Sequence, residues 1–431
     1  MNWTKEQLDA IHQSGTNIIV SAGAGSGKTT VLTERVITKL QQGIKLNELL
    51  ILTFTKNSAH DMKNKIKKAI AKNSELKNDA NDIANSYIST FDSFTESLVK
   101  KYHYLLGLDK NINIIDSAII FLKKKEIIKN IFNEKYEKED ENFINFVTSY
   151  CSKNDEEIQK LILNLDQHLD LIIDKKDYLQ NYLNNFYTED NLNNIFNNYF
   201  ELIQKRIDSL KICLENLSYE VDSDYFHLIS NALSSLINAK SYEELQEIKD
   251  IQLPRRPKGS GELAKKYKDK LKAIIDDIIS YTNENKTDLL NEIWETREHV
   301  QILIDILQEL NLEISEYKKK YNSFEFNDIS RFAINLLKTY PDIRDSLKYH
   351  FKEIMIDEYQ DTNDIQEAFI SLIENNNVYM VGDIKQSIYR FRNANPSIFK
   401  NKYDKYKERK NGFKIDLNRN FRSRKEVLEA I

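Results

Sequence analysis

"SAGAGSGKTT", Ser21 to Thr30, holds Gly23, Gly25 and Gly27, three of only 10 glycines in a chain of 431 residues. A chain this sparing with glycine needs backbone freedom here. Ahead of the loop, "NIIVS" (17–21) is a short apolar run with a polar end, the mark of a buried strand. Behind it, "VLTERVITKL" (31–40) repeats apolar residues at helical spacing. In a strand, glycine loop and helix, the backbone N–H groups of Gly23 to Thr29 point inward and cradle phosphate oxygens at a helix N-terminus. Lys28 then supplies a point charge to the β- and γ-phosphates, and the Thr29 hydroxyl a ligand for Mg²⁺. The candidate ATP-binding residues are Ala22, Gly23, Ala24, Gly25, Ser26, Gly27, Lys28, Thr29 and Thr30. The strict pattern has glycine in its first position, where this chain has Ala22.

Outward from the loop, "LLILTFT" (49–55), "KEIMIDE" (352–358) and "NVYMVGD" (377–383) repeat the texture of "NIIVS": apolar runs closed by polar or glycine positions. They read as buried parallel strands, each followed by a helix. Between them the texture changes. From Leu108 to Leu253 there is neither glycine nor proline, and Leu, Ile, Asn, Lys and Glu dominate, a composition suited to long helices. Ile203, Ile207, Leu210, Leu214 and Leu217 form one apolar stripe at four-three spacing. A break, "LPRRPKGSG" (253–261), interrupts the helical pattern, which resumes to about Lys320. The fold class expected is α/β, a parallel sheet interrupted by a large all-α insertion over roughly 105–325.

A nucleotide site of this kind also needs acids at the end of a neighbouring strand. "EIMIDEYQDT" provides them: Ile354, Met355 and Ile356 form the strand, and Asp357 and Glu358 emerge at its tip. Asp357 would hold Mg²⁺ through water, and Glu358 would orient and deprotonate the attacking water.

Composition narrows the classes. Hydrophobic residues make up 41% and charged residues 30%, the balance of a folded chain. No apolar run approaches the roughly 18 residues of a membrane helix, and "MNWTKEQLDA" lacks the blocks of a signal peptide. Cys151 and Cys213 are too few for a four-thiolate cluster and suit buried apolar roles, so a cytoplasmic location is expected. A net charge of -5 confines any nucleic-acid binding to local basic stripes.

The ordered stretches "WTKEQLDAI", "AGAGSGKTTVLTERV", "ILTFTKNSAHDMKNKI", "ISTFDSF", "MIDEYQDTNDIQ", "MVGDIKQSIYRFRNANPSIF" and "IDLNRNFRSR" span residues 3–424. Their sequence and order resemble the UvrD-like helicases of superfamily 1A. "DEYQDTNDIQ", "GDIKQSIYRFR" and "IDLNRNFRSR" are most similar to the AddA branch, the helicase–nuclease subunits of double-strand-break repair. The resemblance implies a RecA-like P-loop NTPase domain in two parts, 1–104 and 326–408, around a helical insertion at 105–325, with a second RecA-like domain starting at 409–431. It also implies ATP-driven movement 3′ to 5′ on single-stranded DNA, contact with duplex DNA, and an AddB-like partner in a heterodimer.

Further roles follow from the same resemblance. Gln7 matches a glutamine that grips adenine, and Arg35 an arginine lying against the base. Gln386 matches a γ-phosphate sensor, and Arg422 an arginine that stabilises transition-state charge. Thr53, Phe54, Thr55, Asn57, Ser89, Thr90, Tyr389, Arg390, Phe391 and Arg392 match the lining of a single-strand track, where aromatic faces stack on bases and arginines hold the backbone. Asp92 stands where the family usually has histidine, and an acid there would repel phosphate. "PRRPKGSGELAKKYKDKLK" (254–272) carries eight Lys/Arg against two acids, suited to a phosphate contact or a solvated linker. Only seven residues follow Arg424, so little of a second motor domain is expected. The alternative expectation is a truncated, non-catalytic ATP- and single-stranded-DNA-binding module. A chromosome-organising ATPase does not fit, because the insertion lacks a sustained heptad and "DEYQDT" is foreign to that class.

Overall fold

The computed structural model describes residues 3–151, 153–388, 393–409 and 411–421, with 77–82 described for backbone only. Tyr389, Arg390, Phe391, Arg392 and Arg422 therefore lie outside the described residues.

The chain divides into two compact units, one of Met1–Glu137, Lys153–Lys175 and Glu309–Ile431, the other of Lys138–Ser152 and Lys176–Gln308. The first opens with α1 (Lys5–His12), β1 (Ile18–Ala22), α2 (Lys28–Gln41), β2 (Leu49–Thr53), α3 (Lys56–Lys72), β3 (Tyr87–Thr90) and α4 (Phe91–Lys101). A two-residue strand, β4 (Asn113–Ile114), leads into α5 (Ser117–Glu137). The helices α6 (Glu141–Tyr150), α7 (Glu156–Leu169), α8 (Lys175–Phe186), α9 (Glu189–Ser218), α10 (Ser223–Asn238), α11 (Tyr242–Gln246), α12 (Glu262–Tyr281) and α13 (Lys286–Lys320) follow without an intervening strand. The first unit then closes with β5 (Ser323–Phe324), α14 (Phe326–Thr339), α15 (Pro341–His350), β6 (Glu353–Ile356), α16 (Asp364–Ile373), β7 (Val378–Gly382), α17 (Pro396–Lys407) and β8 (Phe413–Leu417).

The main sheet has six strands in the order β3-β2-β6-β7-β1-β8, all parallel. All four strand expectations hold, because a parallel sheet buried on both faces demands continuous apolar runs. Successive residues alternate between faces. Ile19, Leu50, Leu52, Ile354, Ile356, Val378 and Met380 face one core, with Phe94 of α4, Ile329 of α14 and Phe369 of α16. Ile18, Val20, Leu49, Ile51, Met355, Tyr379 and Val381 face the other, with Ile11 of α1, Leu32 of α2 and Ile66 of α3.

Two features differ from expectation. "KIDL", expected to open a second sheet domain, lies within β8 and pairs with β1 in the first sheet, Ile415 opposite Val20. Ile415 and Leu417 supply the reason: both are buried in the core beneath α1 and α2. The second unit is also narrower than the helical block expected at 105–325. Lys124 of α5 is buried against Asp166 (2.6 Å) and Asp170 (2.7 Å) after α7, and Lys175 pairs with the same two acids. Arg331 of α14 donates to the carbonyls of Asp170 (2.6 Å) and Ile172 (3.1 Å), tying these segments to the sheet unit. β4 and β5 pair in parallel, so the chain leaves and returns side by side, Asn113 opposite Ser323.

In the second unit the apolar stripe of α9, from Ile203 to Leu217, is buried against Ile229 and Leu233 of α10 and Leu271 and Ile275 of α12. Cys213 is buried there as a free thiol, and Cys151 is half-buried and also free. The basic stretch 254–272 begins as irregular chain and continues into α12. Its start is pinned at the Pro254 carbonyl, which accepts from Tyr225 Oη (3.1 Å) and Lys268 Nζ (2.6 Å). Among the described residues no helix is long and apolar enough to cross a membrane.

Candidate functional site

Parallel strands present their C-terminal ends to one edge, and most of the candidate residues follow those ends. After β1 the glycine loop turns through Gly25 (φ 77°) and Gly27 (φ 89°), backbone that an L side chain strains to adopt. Gly23 is neither left-handed nor crowded. Ser26 closes the loop by donating to the Gly23 carbonyl from its N–H (3.2 Å) and its hydroxyl (2.8 Å). Gly27 caps α2 without a side-chain oxygen. The N–H groups of Lys28, Thr29 and Thr30 therefore lack intrahelical acceptors and carry the positive end of the helix dipole. This donor set fits a polyphosphate.

Lys28 reaches further. β7 stands between β1 and β6, so those strands are two spacings apart, about 9.5 Å. The gap is closed from both sides: Lys28 Nζ lies 3.1 Å from Glu358 Oε2 and 3.5 Å from Gln386 Oε1. Glu358 occupies left-handed backbone (φ 52°, ψ 46°) two residues past the end of β6. For a bulky residue that conformation costs roughly 1–3 kcal/mol and recurs at functional turns. Asp357 donates its N–H to the Leu52 carbonyl at 3.0 Å. Burial pushes its carboxyl up to about 6, with the neighbouring Glu358 charge adding to the rise. Gln386 is itself held, donating from Nε2 to Asp383 Oδ2 at 2.6 Å. Lys28, Asp357, Glu358 and Gln386 thus meet at one edge.

Gln7 is buried beside the loop. Its Oε1 accepts from the Thr4 N–H (3.1 Å) in a capping box, and its Nε2 donates to the Ser26 carbonyl (3.2 Å). Arg35 is a correction. It lies two turns into α2, fully buried, with all five guanidinium protons taken. Nε donates to Glu353 (3.1 Å), Nη1 to the carbonyls of Ala10 (2.8 Å) and Ile11 (3.1 Å), and Nη2 to Gln13 O (2.7 Å) and Glu353. Tyr379 covers its face at 4.2 Å. Nothing remains to meet a base, so Arg35 locks α1 to the foot of β6.

The other candidates stand at the ends of β2 and β3. Thr53, Phe54 and Thr90 line a cavity of about 550 Å³ that also reaches Asp357 and Glu358. Among the described residues that line it are five acids, Asp92, Asp116, Glu325, Asp357 and Glu358, and no Lys or Arg. Thr55 caps α3 by accepting from the Ser58 N–H at 3.0 Å, and Thr90 caps α4 by accepting from Ser93 at 3.2 Å. Asn57 is exposed in the first turn of α3. Ser89 Oγ donates to the Thr90 carbonyl at 3.2 Å. Sequence reasoning passed over Gln360 and Asp383, although both lie inside the ordered motifs; for Asp383 the available signal was an acid placed directly after a buried strand, while Gln360, four residues past β6, gave no signal of that kind.

Comparison with known proteins agrees with this geometry. Residues 3–407 match the UvrD/REP helicase N-terminal domain. The chain is 32% identical over 485 residues to an ATP-dependent helicase/nuclease subunit of Clostridium beijerinckii, covering 100% of this chain and 38% of that protein. A protein of the same name from Thermoanaerobacter sp. is 34% identical, with 100% of this chain and 39% of that one covered. For Streptococcus pneumoniae the identity is 31%, over 99% of this chain and 38% of the relative. The chain thus spans well under half the length of these relatives. The matched span takes in the glycine loop and the strand-end acids: the chain belongs to the UvrD/REP helicase N-terminal domain family.

Proposed function

We propose that this chain is the N-terminal motor portion of an ATP-dependent DNA helicase of AddA type, moving 3′ to 5′ in the recombinational repair of double-strand breaks. The observation that carries the reading is Lys28 Nζ lying 3.1 Å from Glu358 across an intervening strand, at a helix end with no side-chain cap. The phosphates of ATP compete with Glu358 for Lys28, and the freed carboxylate then orients water and takes its proton. Bound Mg²⁺ offsets phosphate charge. Thr29 and Asp357 would hold Mg²⁺ beside the nucleotide. Gln386 responds to the terminal phosphate, Gln7 borders the base, and Arg422 supplies charge from outside the described residues.

The DNA strand crosses the ends of β2 and β3. Phosphates suit the capped N-terminus of α3, whose first turn carries no acid, while the acids lining the cavity, Asp92 of α4 among them, suit base edges, whose amino groups donate. Duplex DNA ahead of the strand, a cytoplasmic location and an AddB-like partner complete the reading. The test is the ATPase rate of the chain with and without single-stranded DNA, beside Lys28→Ala. A rate lost in Lys28→Ala supports the reading. Nucleotide binding without DNA-stimulated turnover favours a binding module in this chain, and a rate that survives Lys28→Ala contradicts both.

A further inference from the structure

We infer that Gln360 is the positioning residue that sets Glu358 and Gln386 together against Lys28. The inference rests on the nucleotide reading of the site. Five hydrogen bonds close a ring. Lys28 Nζ donates to Glu358 Oε2 (3.1 Å), and Gln360 Nε2 donates to the same oxygen (2.9 Å). The Asp383 N–H donates to Gln360 Oε1 (2.9 Å), and Gln386 Nε2 donates to Asp383 Oδ2 (2.6 Å). The last and longest link returns from Lys28 Nζ to Gln386 Oε1 at 3.5 Å.

The ring fixes what Gln360 must be. Its second Nε2 proton goes to Asp361 Oδ2 at 3.3 Å, so the nitrogen faces two carboxylates while the oxygen faces an N–H. Turning the amide over would set oxygen against both acids, which fixes its orientation chemically. Only a side chain with donor and acceptor on one carbon serves both arms. Gln360 is 2% exposed, so neither arm has water as a substitute. The backbone makes room for it: a Cβ on Gly382 would lie 2.4 Å from Gln360 Oε1. Gln360 thus joins the end of β6 to the end of β7, and any displacement of Glu358 is felt at Asp383 and Gln386. Acting through those residues, it touches no reacting atom itself.

The readout is discrimination of the terminal phosphate. Equilibrium binding of Mg²⁺ with ADP, and with a non-hydrolysable ATP analogue, is measured for the unaltered chain, Gln360→Met, Asp383→Ala and the double variant. The unaltered chain is expected to prefer the triphosphate. Gln360→Met, of similar volume but without donor or acceptor, lowers that preference at least fivefold and leaves ADP affinity within twofold. Asp383→Ala breaks the same ring at another link, and the double variant loses no more than the larger single loss, because both cut one loop. Triphosphate preference kept in both single variants, or equal weakening of both nucleotides, overturns the inference. If Gln360→Met fails to fold, Asp383→Ala decides alone, and unchanged preference overturns it. No triphosphate preference in the unaltered chain also overturns it while the nucleotide reading stands. Binding of neither nucleotide overturns the reading, and the inference with it.

Discussion

β6 carries acid at both ends, and α2 meets both with cations. At its foot Glu353 faces Arg35 and Lys39, the latter at 3.5 Å. Past its tip Glu358 faces Lys28 at 3.1 Å. α2 packs antiparallel to the strands it connects, so its first residue lands at one end of β6 and its middle at the other. The two pairs share chemistry and differ in closure. Arg35 and Glu353 are buried, and every guanidinium proton has a fixed partner. Lys28 sits at a mouth beside a glutamate 38% exposed, where its partners can be exchanged for a ligand. A charged pair whose hydrogen bonds are all satisfied inside the protein is structural; one left at an open helix end is available for chemistry.

The largest effect expected is at the closed end. Arg35→Ala leaves Glu353 with only Lys39 and three carbonyls unmatched, a loss of about 3–5 kcal/mol in unfolding free energy. Denaturant titration measures it, and a loss under 1 kcal/mol breaks the contrast. At the open end, Lys28→Ala is expected to weaken Mg·ATP binding about 100-fold, or roughly 2.7 kcal/mol. Stability is expected to stay within about 1 kcal/mol, because Glu358, 38% exposed, has water to replace Lys28.

The strand tip should also announce itself through pH. The Asp357 carboxyl rises from 3.8 to about 6 on folding. Between those values the folded chain binds more protons than the unfolded one, so stability falls as pH rises and the loss is complete above about 6. Asp357→Asn removes that cost. Its expected gain is about 3 kcal/mol at neutral pH, shrinking to nothing below the ordinary carboxylate value. Asp361, pushed up to about 6 by burial and then by Glu358, leaves a residual slope in the variant. A gain independent of pH would show that Asp357 is not a buried charge. The smallest effect is Thr90→Ala, which removes the α4 cap at about 1 kcal/mol. A fall in single-stranded-DNA affinity beyond the unfolded fraction would sharpen the account by giving Thr90 a second role.

Much of the open end was legible in the sequence. Gly25 and Gly27 announce left-handed backbone, and apolar runs ending in Asp357–Glu358 and Gly382–Asp383 announce buried strands with polar tips. The closed end was not. Arg35 and Glu353 are 318 residues apart, and no local spacing shows that the guanidinium turns inward, so a likeness of motif set it against a base instead. β8 misled for a related reason, since strand order depends on which apolar face is left to cover. Gln360 was hidden because its partners, Glu358 and Asp383, belong to different strand ends. The helical second unit was legible as helix from its missing glycines, while the ion network of Lys124, Asp166, Asp170 and Lys175 that limits it was visible only in the fold.

The most direct measurement sets the two ends side by side: Mg·ATP affinity per folded molecule for Lys28→Ala and Arg35→Lys. The lysine at 35 keeps the charge but loses the fork of donors. Arg35→Lys is expected to be markedly less stable yet to bind nucleotide as the unaltered chain does, and Lys28→Ala to stay within about 1 kcal/mol of the unaltered chain's stability yet to bind about 100-fold more weakly. Normal binding by Lys28→Ala, with loss of binding by fully folded Arg35→Lys, would place the nucleotide at the wrong end of β6 and contradict the assignment of the open end as the site.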